Sequence, residues 1–343
     1  MSNRLANSLQ ASVQPQSPAV TEPFRPVFIV GCERSGTTLL AILMARHSRL
    51  AVTSETEYLS KFVPRHWWRR PRKLSHEVLI ERYWPARRMI DLQLDREAVT
   101  ERFRHYDATY RDFFRALLEE FAAREGKPRI GEKSPNHLRH VPQILRWFPE
   151  ARIVGIVRDG RDVVQSLTQM PWAKGEPVRS HCMRWIRSSR QSRSFRRRYP
   201  AQFLVVKFEE LVRDPERVLR LVDDFVSLGF EPAQLSTHVE TRVVPGWEIG
   251  WKARALEGLD TGRIGVWKTE MSQDDRLIMN IMMRAELVRM GYEPDPPIHS
   301  PAQSLRIRLT DAIYLSGLYG LWDDAVVRPR RRRSQRRSAS GSR

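Results

Sequence analysis

The residues best suited to chemistry stand together near the start of the chain, in the stretch VFIVGCERSGTTLLAIL. One turn of this stretch combines two glycines, three hydroxyl groups and a cation: Gly31, Arg34, Ser35, Gly36, Thr37 and Thr38. The apolar run before the turn is typical of a strand, and the residues after it have helical spacing. Free N–H groups at such a turn, together with the dipole of the following helix, favour an anion. The stretch therefore predicts a phosphate- or sulfate-binding loop.

This loop lacks the lysine of the triphosphate-binding pattern G-x-x-x-x-G-K-[ST]. Thr37 occupies the lysine position, and the cation has moved inside the loop to Arg34. In that pattern the lysine contacts the β/γ-phosphates and the next hydroxyl binds Mg²⁺, so the change weakens a metal-dependent kinase or NTPase hypothesis. A guanidinium fork fits a phosphate or sulfate group better.

Apolar runs that alternate with helical patterns predict an α/β fold, with a P-loop-like central parallel sheet flanked by helices. Ligands of such sheets lie outside the carboxyl ends of the strands. Polar residues stand at four predicted strand ends: Gly31–Thr38, Ser54–Glu57, Glu132–Ser134 and Arg158–Asp162. After the last of these, Arg158 and Ser166 are placed to meet a second phosphate; the alternative is a helix start capped by Asp159.

The pattern along the chain predicts one main domain with extensions at both ends. We expect a disordered segment over 1–24, the domain over 25–300, a C-terminal helix over 301–327 and a disordered tail over 328–343. Within the domain, residues 60–126 have helical patterns and are expected to form an insertion on the acceptor side. Its WW pair, Trp67 and Trp68 among five cations, is either a surface segment or the rim of an acceptor site.

The chain is basic, with 59 Lys and Arg against 40 Asp and Glu and a net charge of +19. Part of the excess is local, because Arg328–Arg343 contains eight arginines and no acid. Such a tail is either a solvated, disordered end or a segment attracted to nucleic acid or an anionic membrane. The basic residues show no zinc-finger or RNP pattern, so we expect no specific nucleic-acid partner.

Cysteine content and hydropathy indicate the compartment. Two cysteines, Cys32 and Cys182, form no disulfide framework and suit a reducing environment. No apolar run reaches the ~20 residues that span a bilayer, and the first 24 residues lack the apolar core of a secretory signal. We therefore expect a cytoplasmic protein, with peripheral attachment to a membrane through the tail as the alternative.

Taken together, these segments resemble the sulfotransferases that use 3′-phosphoadenosine 5′-phosphosulfate. The phosphate loop, EKSP, VRDGRDVVQS, VKFEELVRDP and TGRIGVWK carry the resemblance over about 26–291. Their order and spacing are most similar to the tyrosylprotein- and carbohydrate-type branch. The resemblance implies in-line transfer of a sulfuryl group to an acceptor hydroxyl, with this donor as co-substrate and without a metal. The acceptor class stays open among carbohydrate, tyrosyl, lipid and small molecule.

The resemblance also implies where the donor binds. The loop from Arg34 to Thr38 matches the segment that binds the 5′-phosphosulfate. Arg158 and Ser166 match the pair that binds the 3′-phosphate. A later segment, TGRIGVWK, matches a loop that closes over the 3′-phosphate and makes Arg263 and Lys268 candidates.

Three residues receive catalytic roles from the same resemblance. Glu55 matches the carboxylate that is the general base in the tyrosylprotein branch. Lys133 matches a lysine that steadies the leaving group, and Arg34 takes up charge as the bond to the leaving phosphate breaks. The rival bases are Glu57, His137 and His47.

Two positions depart from the family pattern. Pro135 stands where the cytosolic phenol and steroid sulfotransferases have a histidine base, and Phe208 replaces a tyrosine whose hydroxyl contacts the donor. Two other hypotheses remain: a P-loop kinase or NTPase acting on a small molecule, whose one candidate magnesium ligand is Asp159, and a basic nucleic-acid-binding protein.

Overall fold

The structure is a computed structural model, and it describes residues 24–64, 74–236 and 243–295. Several segments singled out in the sequence lie outside this part: nearly all of 1–24, the Trp67–Trp68 pair, the expected helix 301–327 and the basic tail 328–343.

Five parallel strands form the central sheet, as the sequence predicts. They are β1 (Val27–Gly31), β2 (Leu50–Thr53), β3 (Arg129–Lys133), β4 (Arg152–Val157) and β5 (Phe203–Lys207). Their order across the sheet is β2-β3-β1-β4-β5, so β1 is central. In this register Phe28 lies opposite Glu132 on one side and Ile153 on the other. The strand ends that carry the polar residues consequently meet at one edge.

Helices cover both faces of the sheet. Those before β3 are α1 (Thr37–Ala45), α2 (Tyr58–Lys61), α3 (His76–Tyr83), α4 (Arg87–Leu92), α5 (Arg96–Arg104) and α6 (Tyr110–Arg124). Those from β3 to Phe225 are α7 (Val141–Trp147), α8 (Gly160–Thr168), α9 (Val178–Arg198), α10 (Phe208–Arg213) and α11 (Pro215–Phe225). The last described are α12 (Ile249–Leu256), α13 (Trp267–Glu270) and α14 (Gln273–Arg289). Short 3₁₀ turns at Pro135–His140, Pro171–Ala173, Pro232–Leu235, Gly246–Glu248 and Thr261–Arg263 complete the described elements.

Apolar packing holds the two faces together. The central strand β1 is buried throughout, which is expected of a parallel strand covered on both sides. On one face α6 packs its apolar stripe: Phe113 and Phe114 are fully buried there, and the ring of Tyr58 stacks on Phe114 at 4.4 Å between centroids. On the other face the buried residues of α1 and α11 form a second cluster. The described part of 60–126 is thus helical and anchored to the sheet.

Two features of the described ranges bear on function. No helix in them has the length and apolarity needed to cross a membrane. The same ranges contain no group of three or more His, Cys, Asp or Glu side chains placed to share a metal ion.

Candidate active site

A cavity of about 490 Å³ opens at the edge where the strands end. Three of the four polar strand ends contribute to its wall, through Thr37, Glu55 and Arg158 among others. The opposite wall is formed by residues 247–263, which include α12. One concave site therefore collects most of the residues that the sequence indicated.

The phosphate loop is shaped by its second glycine. Gly36 has a φ of 98°, and a Cβ on it would lie 2.5 Å from a ring carbon of Phe208. A side chain is therefore excluded by both the backbone and the packing. Gly36 is the N-cap of α1 and provides no side-chain cap, so the first N–H groups of the helix remain available to a ligand.

The other loop residues divide between cavity and core. Thr37 and Thr38 line the cavity at the start of α1. Ser35 is fully buried and is not among the lining residues, and its hydroxyl has no hydrogen-bond partner among the described residues. The predicted strand–turn–helix geometry of the loop is thus present, and the Ser35 side chain lies outside the cavity lining.

Four arginines make one side of the cavity strongly positive: Arg34, Arg158, Arg254 and Arg263. Burial lowers the pKa of Arg34 to about 10, and repulsion from the other three guanidinium groups adds to this effect. Across the described ranges no carboxylate forms a salt bridge with Arg34, Arg254 or Arg263. Arg158 is buried, Arg34 and Arg263 are half-buried and Arg254 is exposed. Clustered positive charge with so few acidic partners is stabilised by a bound anion.

Arg34 and Arg158 join the two predicted phosphate sites. The Arg34 Nε donates to Ser166 Oγ at 3.0 Å, which links the first loop to α8. The Arg158 Nη1 donates to the Arg34 carbonyl at 3.4 Å, and its guanidinium lies 4.5 Å from the centroid of the Phe208 ring. Arg158 Nε is buried with no hydrogen-bond partner among the described residues. The two predicted sites are therefore adjacent parts of one pocket.

Asp162 holds the loop that carries Arg263. Its carboxylate accepts from the Gly265 amide at 2.8 Å and from the Trp267 amide at 3.1 Å. Arg263 thereby reaches the cavity wall. Lys268, the other candidate from this loop, is exposed and lies outside the lining residues, with its Nζ 5.9 Å from the Trp267 ring centroid.

Glu55 is at the centre of the acidic side. Its Oε1 accepts from Lys133 Nζ at 2.9 Å and from Lys252 Nζ at 2.6 Å, and Arg88 approaches Oε2 at 3.4 Å. Burial alone would raise the pKa of Glu55, but these three charges outweigh it and hold the pKa well below its usual range. The carboxylate is thus ionised at neutral pH.

Lys133 ends β3 with its side chain fully buried. Burial lowers the pKa of this ammonium to about 8, while the neighbouring Glu55 carboxylate opposes the shift. Lys133 is therefore mainly charged at neutral pH, and its contact with Glu55 brings together two of the three predicted catalytic residues.

A buried network fixes the loop that carries Glu55. Glu132 accepts from the Thr56 hydroxyl at 2.7 Å and from Ser134 Oγ. The His137 ring bonds Glu132 through Nδ1 at 2.9 Å, and its Nε2 accepts from the Leu59 amide at 3.2 Å. Because Nε2 is an acceptor, Nδ1 carries the proton and donates to Glu132. Both ring nitrogens of His137 are thus engaged inside the protein.

The other rival bases are placed differently. Glu57 lines the cavity and bonds Arg88 Nε at 3.0 Å, with Lys61 as a second partner. His47 is buried after the end of α1, where its Nε2 lies 2.7 Å from the Gly229 carbonyl, and it does not line the cavity. Among these rivals only Glu57 lines the cavity beside Glu55.

Sequence reasoning missed the wall that α12 supplies. Lys252 and Arg254 bring two cations to the cavity, and Trp247 and Trp251 bring aromatic rings. Glu248 is 3% exposed and accepts from Arg88 Nη1 at 2.9 Å. The segment EIGWKAR does place aromatic and basic residues close together, but it follows no strand, so the placement of ligands at strand ends does not indicate it.

A parallel sheet with an anion-binding loop and a lysine–carboxylate pair at its edge is typical of enzymes that transfer a group from an anionic donor. The family model described as "Sulfotransferase family" matches residues 26–232. The chain therefore belongs to the sulfotransferase family, and it is a transferase, as the sequence predicted.

The chain is also similar to curated relatives and, in its fold, to a solved structure. The chain is 24% identical to protein-tyrosine sulfotransferase 1 of Danio rerio over 283 residues, covering 79% of this chain and 74% of that protein. It is also 24% identical to an uncharacterised protein of Aquifex aeolicus over 80% of this chain, but it spans only 34% of that protein's length. The sulfotransferase domain from the curacin biosynthetic pathway has a similar fold, with a TM-score of 0.59, 22% identity and coverage of 80% of this chain and 99% of that domain.

Proposed function

We propose that the protein transfers a sulfuryl group from 3′-phosphoadenosine 5′-phosphosulfate to an acceptor hydroxyl. The observation that carries this proposal is the cluster of arginines that lines the cavity beside a phosphate loop with Thr37 in place of lysine. The donor has two phosphate positions, and the pocket offers two adjoining cationic sites, at Arg34 and at Arg158.

The residues of the pocket fit this donor. Arg158 Nε, buried and without a partner among the described residues, offers a donor to the 3′-phosphate, next to Ser166 and Arg263. The α1 N–H groups and Arg34 are placed for the 5′-phosphosulfate. Charge-assisted bonds from arginine to phosphate are among the strongest hydrogen bonds in proteins.

The chain's own groups can then supply the remaining chemistry. The donor provides the sulfuryl group, and no metal is required. Glu55 accepts the proton of the acceptor hydroxyl, so that the oxygen can form its bond to sulfur. Lys133 and Arg34 stabilise the charge that appears on the leaving phosphate oxygen as its bond to sulfur breaks. Arg34 and Glu55 line the cavity, and Lys133, which does not line it, contacts Glu55. This arrangement would provide the alignment that in-line transfer requires.

The acceptor enters between the carboxylates and the tryptophans. Glu57, Trp172 and Trp247 line this part of the cavity together with Glu55. Relatives named protein-tyrosine sulfotransferase make a tyrosyl hydroxyl one candidate. A carbohydrate, a lipid or a small phenol meets the same chemical requirement of a hydroxyl group.

The proposal is tested by transfer from donor labelled with ³⁵S in the sulfuryl group. The purified chain is incubated with metabolite, glycan, lipid and protein extracts of its host, and Glu55→Gln is the matched control. We expect label in one acceptor fraction with the unmodified chain and roughly 10²- to 10⁴-fold less with the variant. The proposal would be contradicted if no label were transferred to any of these fractions or to water.

A further inference from the structure

Lys252 carries a buried ammonium group to which the proposed sulfuryl transfer assigns no role. It is the one buried residue of α12, with 8% of its surface exposed. Its Nζ donates to Glu55 Oε1 and to Glu248 Oε2, both at 2.6 Å. Burial of a second ammonium beside Lys133 is costly unless carboxylates compensate it. Its position is therefore defined by the two carboxylates that it joins.

The contacts of Glu55 are unevenly divided between its two oxygens. Lys133 and Lys252 both donate to Oε1. The Oε2 atom has one contact among the described residues, a 3.4 Å approach by Arg88. Two cations on one oxygen fix the rotation of the carboxylate and leave the other oxygen as the better acceptor for an incoming proton.

We propose that Lys252 is a positioning residue for sulfuryl transfer. This inference rests on the function proposed above. From α12, Lys252 holds Oε1 of Glu55 so that Oε2 is available to the acceptor hydroxyl. When the donor is bound, Lys133 donates part of its hydrogen bonds to the leaving phosphate, and Lys252 keeps its contact with Oε1.

The charges around Glu55 determine in which direction removal of the Lys252 charge changes the pKa of Glu55. The charged groups are Lys133 of β3, Lys252 of α12, Arg88 of α4, Arg34 of the phosphate loop, Glu57 of the loop that carries Glu55, and Glu248 of the turn before α12. Removal of the Lys252 charge also takes one of the two cations that contact Glu248 among the described residues and leaves Arg88 as the other. Both changes favour the protonated form of Glu55 and raise its pKa.

The test follows the ionisation of Glu55 directly and does not need the acceptor. Protein labelled with ¹³C at the glutamate carboxyl is titrated by NMR, and Glu55→Gln identifies the Glu55 signal. We expect Lys252→Gln to raise the titration midpoint of Glu55 by roughly 1–3 pH units. In Lys252→Arg the titration midpoint of Glu55 should stay near that of the unmodified chain, because arginine keeps the positive charge. Arg104→Gln, which removes an exposed cation from α5, is the control and should leave the midpoint unchanged.

The same titration with adenosine 3′,5′-bisphosphate tests the second half of the proposal. With the bisphosphate bound, the shift caused by Lys252→Gln should be larger, because Lys133 then shares its hydrogen bonds. An equal shift with and without the ligand contradicts that half, and an unchanged midpoint overturns the whole inference.

A second variant keeps the inference testable if Lys252→Gln does not fold. Glu248→Gln removes the other partner of Lys252 and should leave the Glu55 midpoint as low as in the unmodified chain or lower; a higher midpoint would contradict the inference. Failure of the unmodified chain to bind the bisphosphate would instead contradict the proposed function, while the ligand-free titration would still decide whether Lys252 controls Glu55.

Discussion

At the scale of residues, charge is separated across one cavity. Arg34 and Arg158 line it with the phosphate loop, and Glu55 and Glu57 line it from the loop that follows β2. Lys133 and Lys252 stand at the boundary, where each donates to Glu55. In the proposed function, this arrangement lets one pocket hold a polyanionic donor while a carboxylate takes the proton of the acceptor.

Removal of the Arg158 side chain should weaken donor binding. Arg158→Ala eliminates a charge-assisted contact worth roughly 1.5–3 kcal/mol, so affinity for adenosine 3′,5′-bisphosphate should fall about 10- to 100-fold. Ser166→Ala should cause a smaller loss, since it removes a hydroxyl that also accepts from Arg34. Titration calorimetry gives both values, with Arg104→Ala as the control. Unchanged affinity in both variants would mean that this segment is only a capped helix.

Substitution of Glu55 should separate binding from turnover. Glu55→Gln keeps the shape but not the basicity, so bisphosphate affinity should stay within a few-fold while turnover falls by roughly 10²–10⁴-fold. Glu57→Gln should lose far less turnover. Initial rates with the acceptor found by labelled transfer measure the effect. If Glu55→Gln retained a tenth or more of the activity, the base would have to be sought at Glu57.

At the scale of elements, the site is assembled from strand ends and from one wall that no strand supplies. The parallel register brings the ends of β1, β2, β3 and β4 together. The loop after Asp260 and the helix α12 close the opposite side. Asp162, in the first turn of α8, fastens that loop through two backbone amides.

Loss of the Asp162 carboxylate should loosen the loop and reduce donor affinity. Asp162→Ala removes two buried hydrogen bonds, so the affinity for the bisphosphate should fall about tenfold together with some stability. Asp95→Ala is a matched control, because Asp95 caps α5 through the Ala98 amide, away from the cavity-lining residues. It should reduce the melting temperature without a change in affinity. Equal affinity in the two variants would remove Asp162 from any role in the site.

The sequence predicted the parts of the fold that depend on local pattern. Val27–Val30 is a continuous apolar run, and Gly36 must adopt a positive φ, so the first strand and its loop could be recognised from the residues alone. The polar strand ends followed from the general placement of ligands in parallel sheets. Three of the four line one cavity, in agreement with that expectation, while the end at Glu132–Ser134 does not line it.

Other contacts depend on tertiary packing and leave no local signal. Lys252 meets Glu55 across 197 positions, and Arg88 meets Glu248 across 160. No periodicity or spacing rule links residues so far apart in the chain. Lys268 shows the converse, because its motif resembles the family pattern while the fold leaves its side chain exposed outside the cavity lining.

At the scale of the whole molecule, the net charge of +19 suits an anionic donor, since a positive field attracts it to the cavity. The basic tail 328–343 lies outside the described residues. Its attachment to an anionic membrane and the cytoplasmic location both stay predictions.

The identity of the donor that the cavity selects is tested most directly by thermal unfolding of the full chain with two ligands. Adenosine 3′,5′-bisphosphate without Mg²⁺ should raise the melting temperature by several degrees, because a ligand at a hundredfold excess over its Kd stabilises the folded chain by about 2.7 kcal/mol. ATP with Mg²⁺ should raise it much less, since it lacks a 3′-phosphate for Arg158 and meets Thr37 in place of lysine. Stabilisation by ATP with Mg²⁺ but not by the bisphosphate would contradict a sulfotransferase donor site and favour a kinase or NTPase.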